Sequence, residues 1–250
     1  MKQLFSLSLL TVCTAFLFSC DTQEARPSRQ VNSMSDAKVI GCSNYSYLNK
    51  VSGVVDFGKP NGEMVLVGFA DGMTLQAKQR LLNRYPQYQS IAGEIAMDSG
   101  VLTQVRLIKG SNGYDAERLI SKLLKESSVH FAHPMFTQDQ NDPASQRIGL
   151  TNEFMVSIEG SGTLSQLQKF AAQTKTSFVF SFSDEVHVMK ADKNSSGSLL
   201  EILTLFNQQD FVTVAEPNLT FTFPDQDSGS GNAVSSKFLK KGGFKAFEKR

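Results

Sequence analysis

The sequence predicts an α+β protein in which one β-α-β-β-α-β unit occurs twice, and three observations predict it. Short apolar or alternating runs bounded by Gly, Asp and Pro have the pattern of strands, while other segments repeat apolar residues at the three- and four-residue spacing of helices. These segments follow one another in the same order over residues 60–140 and again over residues 150–224. A chain of 250 residues that is 40% hydrophobic, with 19 Phe and no Trp, has enough apolar surface for two small cores. Its 25 basic and 24 acidic side chains leave a formal net charge of +1, which removes the electrostatic case for nucleic acid as a partner.

At the N-terminus, Lys2 precedes an apolar run from Leu4 to Phe18 that Ser6, Ser8, Thr11 and Thr14 interrupt. The run is too short and too polar for a membrane span of about 20 residues, so residues 1–19 read as a secretory signal peptide. Its end, Leu17-Phe18-Ser19-Cys20, resembles the lipobox of bacterial lipoproteins. That resemblance implies cleavage before Cys20 and a diacylglyceryl thioether on its sulfur. Acyl chains contribute about 0.8 kcal/mol per buried methylene, enough in twos and threes for stable anchoring. The expected location is the bacterial cell envelope, lipid-anchored outside the cytoplasm. The alternative is a hydrophobic run with an incidental cysteine, of which Cys13 is an example. With Cys13 removed and Cys20 acylated, Cys42 is the one free thiol, so an intramolecular disulfide is excluded. Cys42 follows Gly41 in a polar stretch without a nearby His and reads as a bystander.

Residues 20–59 read as a lipid-anchored tether, polar and nearly aperiodic as far as Ser46, with Val51 to Phe57 as a first strand. In the first unit, Glu63 to Phe69 is strand-like, Asp71-Gly72 turns, and Thr74 opens a helix carrying Leu75, Leu81, Leu82 and Tyr85 until Pro86 stops it. Tyr88 to Met97 and Val101 to Ile108 form a hairpin around Asp98-Ser99-Gly100. Gly110 to Gly113 reads as a plain loop, after which Ala116, Leu119, Ile120, Leu123 and Leu124 form the buried stripe of a second helix. Ser128 to Pro134 closes the unit.

The second unit repeats the order. Phe154 to Ile158 is a strand, and Thr163-Leu164-Ser165-Gln166 has the form of a capping box before a helix with Leu167 and Phe170 inward. Thr176 to Phe182 and Val186 to Met189 make the hairpin. Ser198 to Glu201 caps a helix with Leu199, Leu203 and Phe206, and Phe211 to Leu219 is the closing strand. This order is that of a ferredoxin-like fold in tandem, with both helices of each unit on one sheet face. The other face is expected to stay bare, a first hint of a binding role.

The closing strand Val212-Thr213-Val214-Ala215-Glu216-Pro217-Asn218 resembles the A-E-P-N signature that ends the N-terminal propeptide of many subtilisin-type serine proteases. Val129 to Met135 is a degraded copy, with His133 for Glu and Met135 for Asn. The resemblance covers roughly residues 60–223. It implies a chaperone and inhibitor of a protease, an open sheet face that packs on two enzyme helices, and a segment after the signature that enters the active-site cleft like a product. Ala215, Glu216, Pro217, Asn218, Leu219, Phe221 and Phe223 are the partner-binding residues so implied. Leu219, Phe221 and Phe223 alternate with Thr220 and Thr222 as a cleft-bound segment does, and equally as a last core-facing strand does.

No protease domain follows: Pro224 to Gly231 leads to the flexible basic tail, residues 225–250, where six basic residues from Lys237 to Arg250 interleave with Phe238, Phe244 and Phe247. Ile95 to Val101 is similar to the subtilisin aspartate motif, but Asp98 without its histidine and serine is a turn residue. His130 and His133 lie three apart on a strand and point to opposite faces, and His187 is far from other ligands, so no metal is expected. No phosphate-binding glycine loop occurs and no cofactor is expected. The expectation is a lipid-anchored, non-catalytic module acting in trans on an exported subtilisin-type protease, with the membrane as its second partner. A structural or adhesive envelope lipoprotein and a remnant of a protease precursor are the alternatives.

Overall fold

The computed structural model describes residues 45–138, 145–160 and 163–222. The signal peptide, Cys20, Cys42, Phe223 and the basic tail lie outside the described residues. The chain opens with a hairpin of β1 (Ser46–Asn49) and β2 (Gly53–Asp56). The next six elements are β3 (Pro60–Phe69), α1 (Leu75–Leu82), β4 (Tyr88–Met97), β5 (Gly100–Leu107), α2 (Gly113–Leu123) and β6 (Val129–Thr137). The last six are β7 (Arg147–Ile158), α3 (Leu164–Thr174), β8 (Ser177–Ser181), β9 (Val186–Lys190), α4 (Leu199–Asn207) and β10 (Val212–Thr222). The protein is α+β, and the described strand pairs are antiparallel.

Local chemistry starts two of the four helices with the caps the sequence predicts. Thr74 accepts from the Ala77 N–H ahead of α1, and Ser198 and Glu201 form a reciprocal capping box on α4. Two starts differ from expectation. Asn112, read as loop, forms a second capping box with Asp115 on α2. Thr163 makes no side-chain cap: its own backbone is already helical (φ −94, ψ −4), and its hydroxyl turns back to donate to the Glu159 and Gly160 carbonyls.

The strands run in the order β4-β5-β3-β6 and continue through β7 to β9 and β8, with β10 also on β7. Strand β7 is the junction. Its first residues, Arg147 to Gly149, pair with Thr137 to Met135 of β6, and Glu153 to Ser157 pair with Lys190 to Val186 of β9. β10 occupies the opposite edge from Ile158 to Arg147. Strand β7 therefore begins at Arg147, ahead of the expected strand Phe154 to Ile158.

Each half has a core between its sheet and helices. Val65, Val67, Val105 and Leu107 meet Leu81, Leu82, Leu119 and Leu123 in the first. Leu150, Phe154, Val156 and Ala215 meet Leu167, Leu203 and Phe206 in the second. The tether reading is corrected for residues 45–57: Tyr47 is buried in the second core, the Leu48 N–H donates to Thr204 Oγ1, and Lys50 Nζ donates to the Val212 carbonyl at 2.6 Å. Tyr45, Tyr47, Val55 and Phe57 carry this packing with strand alternation, which a polar average over the stretch conceals.

The expected bare face of the first sheet is also corrected. On the side away from α1 and α2, Leu66, Ile95, Leu102, Phe131 and Met135 form a buried cluster. β7 lies against it so closely that a Cβ on Gly149 would stand 2.6 Å from Leu66 Cδ1 and 2.7 Å from Thr220 Cγ2. Absence of a side chain at Gly149 is what admits this approach.

Candidate functional site

Strand β10 brings the sequence-predicted binding residues together as neighbours and then sends them to different environments. Ala215 is fully buried. Its N–H donates to Asn207 Oδ1 at 3.0 Å and its carbonyl accepts from Asn207 Nδ2 at 2.8 Å. The Asn207 amide, at the end of α4, satisfies these two backbone groups as a neighbouring strand would. Glu216 is half-buried, with Asn49 Nδ2 donating to its Oε1 at 3.4 Å. Beside it, burial pushes the Tyr47 phenol above its ordinary pKa, the Asn49 bond opposes this, and the Glu216 charge adds to it.

Pro217 stands opposite Phe154 where the register slips, a position that suits a residue without an N–H. The slip turns Asn218 inward. Asn218 Nδ2 donates to Glu153 Oε2 at 3.2 Å, its carbonyl accepts from Thr151 Oγ1 at 2.9 Å, and Glu153 Oε1 accepts the Ser99 N–H at 2.7 Å. Asn218 thus ties the signature strand to the β4–β5 turn through a carboxylate that is 1% exposed. Leu219 packs on the second core, and Phe221 is 44% exposed opposite Ile148. Leu219 to Thr222 remain in the ladder with β7, the arrangement of a paired last strand.

The apolar surface that corresponds to the expected bare face is the side of β8, β9, β7 and β10 away from α3 and α4, half-exposed at Phe180, Met155, Val186 and Val214 and buried at Val188. Register aligns Phe180, Val188, Met155 and Glu216 in one row across β8, β9, β7 and β10, and Val186, Ser157 and Val214 in the next. Their neighbours Phe154, Val156 and Met189 point to the helices. Phe182 extends the face, 58% exposed and edge-to-face with Phe180 at 4.7 Å. The signal in the sequence is β9, apolar or aromatic at consecutive positions from Val186 to Met189, the pattern of a strand with apolar side chains on both faces.

A cleft of about 220 Å³ lies where the β4–β5 turn meets β7, with Asp71, Ser99, His130, Asn152, Lys190 and Asp192 on its walls. His130 is exposed, whereas His133 is buried and stacked on Phe131, so the two histidines face apart. His187 is buried, with Nδ1 2.7 Å from Ser181 Oγ, and its Nε2 has no hydrogen-bond partner among the described residues. A serine nucleophile needs a third group that orients its histidine, and none stands there among them. Asp98 is an exposed turn residue. Among the described residues no group of three or more His, Cys, Asp or Glu could hold a metal, and no helix is long and apolar enough to cross a membrane. Neither the protein-family models nor the curated proteins compared with the chain give a match.

Proposed function

We propose that this chain is a non-catalytic binding module of the cell envelope, built as two tandem ferredoxin-like units related to subtilisin propeptides. It acts in trans as an inhibitor or folding helper of an exported subtilisin-type protease, and an acyl chain on Cys20 holds it at the membrane. The repeated element order supports the tandem reading, as do the matching strand orders β4-β5-β3-β6 and β8-β9-β7-β10. The observation that carries the binding role is the half-exposed apolar face of Phe180, Val186, Met155 and Val214, bordered by the A-E-P-N strand.

Propeptide-like sheets contact their enzyme through such a face. Four strands at about 4.8 Å spacing and five residues deep span only about 300 Å². A standard interface needs about 800 Å² per partner, so the β8–β9 turn and the exposed Phe182 belong to it as well. A product-like segment would have to begin beyond Thr222, where the ladder with β7 ends.

The test is titration of the purified full chain against a panel of subtilisin-type proteases, scoring peptide hydrolysis and recovery of activity after denaturation. Slowing or assisted refolding of at least one protease is expected. Met155→Asp, at the centre of the face, should weaken the effect by about ten-fold or more, as loss of a central interface contact does. Absence of both effects across the panel overturns the proposal.

A further inference from the structure

The Phe182 end of the bare face carries a chemistry that the protease reading does not use. Three exposed acids, Glu159, Asp184 and Glu185, gather there. The Ile158 N–H donates to the Glu185 carbonyl at 2.8 Å, which sets Glu159 beside the β8–β9 turn, and the Phe182 N–H donates to the Val186 carbonyl at 2.9 Å. Two cations of neighbouring elements are directed elsewhere. Lys50 Nζ is taken by the carbonyls of Gln209, Asp210 and Val212. Lys190 is two strand positions beyond Val188, opposite Glu153. The surface is therefore an aromatic pair, Phe182 exposed and Phe180 half-buried, with an acidic rim.

One segment of this chain has the complementary composition. Residues 237–250 hold six basic side chains against the single acid Glu248, interleaved with Phe238, Phe244 and Phe247. We propose that this segment docks on the Phe182 end of the second sheet of its own chain, with Phe244 and Phe247 against Phe180 and Phe182 and with Lys240, Lys241 and Lys245 on the acidic rim.

Chain length permits the contact and selects its register. β10 ends at Thr222 opposite Arg147, so the departure point is at the far end of β7 from Ile158. Twelve strand residues from there to Glu159 span about 40 Å, and the three strand spacings across to β8 add about 14 Å sideways. From Thr222 to Phe244 the chain extends to at most about 75 Å, ample for this path, whereas Lys237 reaches about 50 Å and arrives only when nearly straight. Tethering makes the encounter intramolecular, so weak exposed contacts suffice to populate it. The contact goes beyond the protease-binding role and stands without it. Where that role holds, segment and partner compete for one surface.

Zero-length carbodiimide cross-linking of the full chain, which joins lysine amines to carboxylates, tests this by peptide mapping of the monomer band. Links from Lys240, Lys241 and Lys245 to Glu159, Asp184 and Glu185 should exceed links to the exposed control acids Asp56 and Asp98. Links to Glu159, whose carboxylate the substitution leaves in place, should fall about five-fold or more in D184K/E185K, the effect of losing two or three exposed ion pairs. Adding K240E/K241E/K245E to that variant should restore proximity, read as links of the reversed polarity. Phe182→Ser should lower the wild-type links without changing the far-ultraviolet circular dichroism. Even labelling of all exposed acids, indifference to charge reversal, or links confined to the dimer band would overturn the proposal, the last by assigning the site to the segment of a second copy. Loss of protease inhibition with the links intact would sink the protease reading alone.

Discussion

Asn207 is the side chain on which the position of β10 depends most, and replacing it with alanine has a calculable effect. The residue is 3% exposed. Its Nδ2 donates to the carbonyls of Leu203 and Ala215 at 2.9 and 2.8 Å, and its Oδ1 accepts from the N–H groups of Ala215 and Lys50 at 3.0 and 3.1 Å. In Asn207→Ala the Lys50 N–H lies near solvent and finds water, but both backbone groups of the buried Ala215 lose their partner. Each such group costs about 1–3 kcal/mol, so the expected loss is about 3–5 kcal/mol. Against a typical total of about 5–15 kcal/mol this is a large fraction. Urea unfolding followed by circular dichroism measures it as a lowered midpoint at unchanged slope. Asn207→Asp keeps the two acceptor roles and abolishes both donations, and should also be destabilised. Gln208→Ala, on the exposed side of the same turn, should stay within about 0.5 kcal/mol of the parent. A loss below about 1 kcal/mol for Asn207→Ala would refute the edge-clamp reasoning.

Gly149→Ala forces a methyl into Leu66 and Thr220 and should cost about 1–3 kcal/mol by overpacking, with partial recovery on adding Thr220→Ser, both read as shifts in Tm. Gly62→Ala is more severe because its Cβ would stand 2.3 Å from the backbone oxygen of Ser111, and it should fail to give folded protein at yields where Gly149→Ala does. Burial pushes the Tyr85 phenol up to about 12, and its hydrogen bond to the Glu126 carboxylate and that carboxylate's charge reinforce the rise while Arg84 opposes it. The protonated phenol is the form the fold favours, so this stability is complete below pH 10 and disappears as pH rises from 10 towards 12. Tyr85→Phe should lower Tm at neutral pH and flatten that alkaline decline. The same bond holds the Glu126 carboxyl below the usual range, a contribution lost as pH falls through its lowered pKa, so the variant should also be less sensitive to acid. Phe182→Ser should change stability by no more than about 0.5 kcal/mol and reduce binding of a hydrophobic dye. A large destabilisation would mean that the ring is core rather than surface.

The element order was legible because each element advertises itself locally. The stripe of Leu119, Ile120 and Leu123 marks α2, and Asp98-Ser99-Gly100 marks the β4–β5 turn. What escaped depends on partners distant in sequence. Arg147 to Gly149 goes unmarked in the sequence because Gly149 and Asn152 are poor strand formers that interrupt the pattern before Phe154, yet the segment is held from both edges by Met135 to Thr137 and by Thr220 to Thr222. The first sheet's second face looked bare because nothing in its own unit covers it, and the cover is β7 of the other. At the signature, Ala215 and Asn218 read as partner-facing, but an amide eight residues away and a carboxylate 65 residues away take up their polar groups. Alternation predicts which side a strand residue faces, not which side chain waits there.

Strand β7 has a consequence for the integrity of the molecule. Its first residues pair with β6 and its later ones with β9 in one continuous sheet, and the segments before and after residues 139–144 are further clasped by the Glu153 bond to Ser99 and by Lys193, whose N–H and Nζ donate to the carbonyls of His130 and Glu126. A proteolytic nick between Gln138 and Ser145 would sever the covalent thread without releasing either piece. The fragments would co-purify as a complemented pair, and neither expressed by itself would keep the other's hydrophobic lining dry.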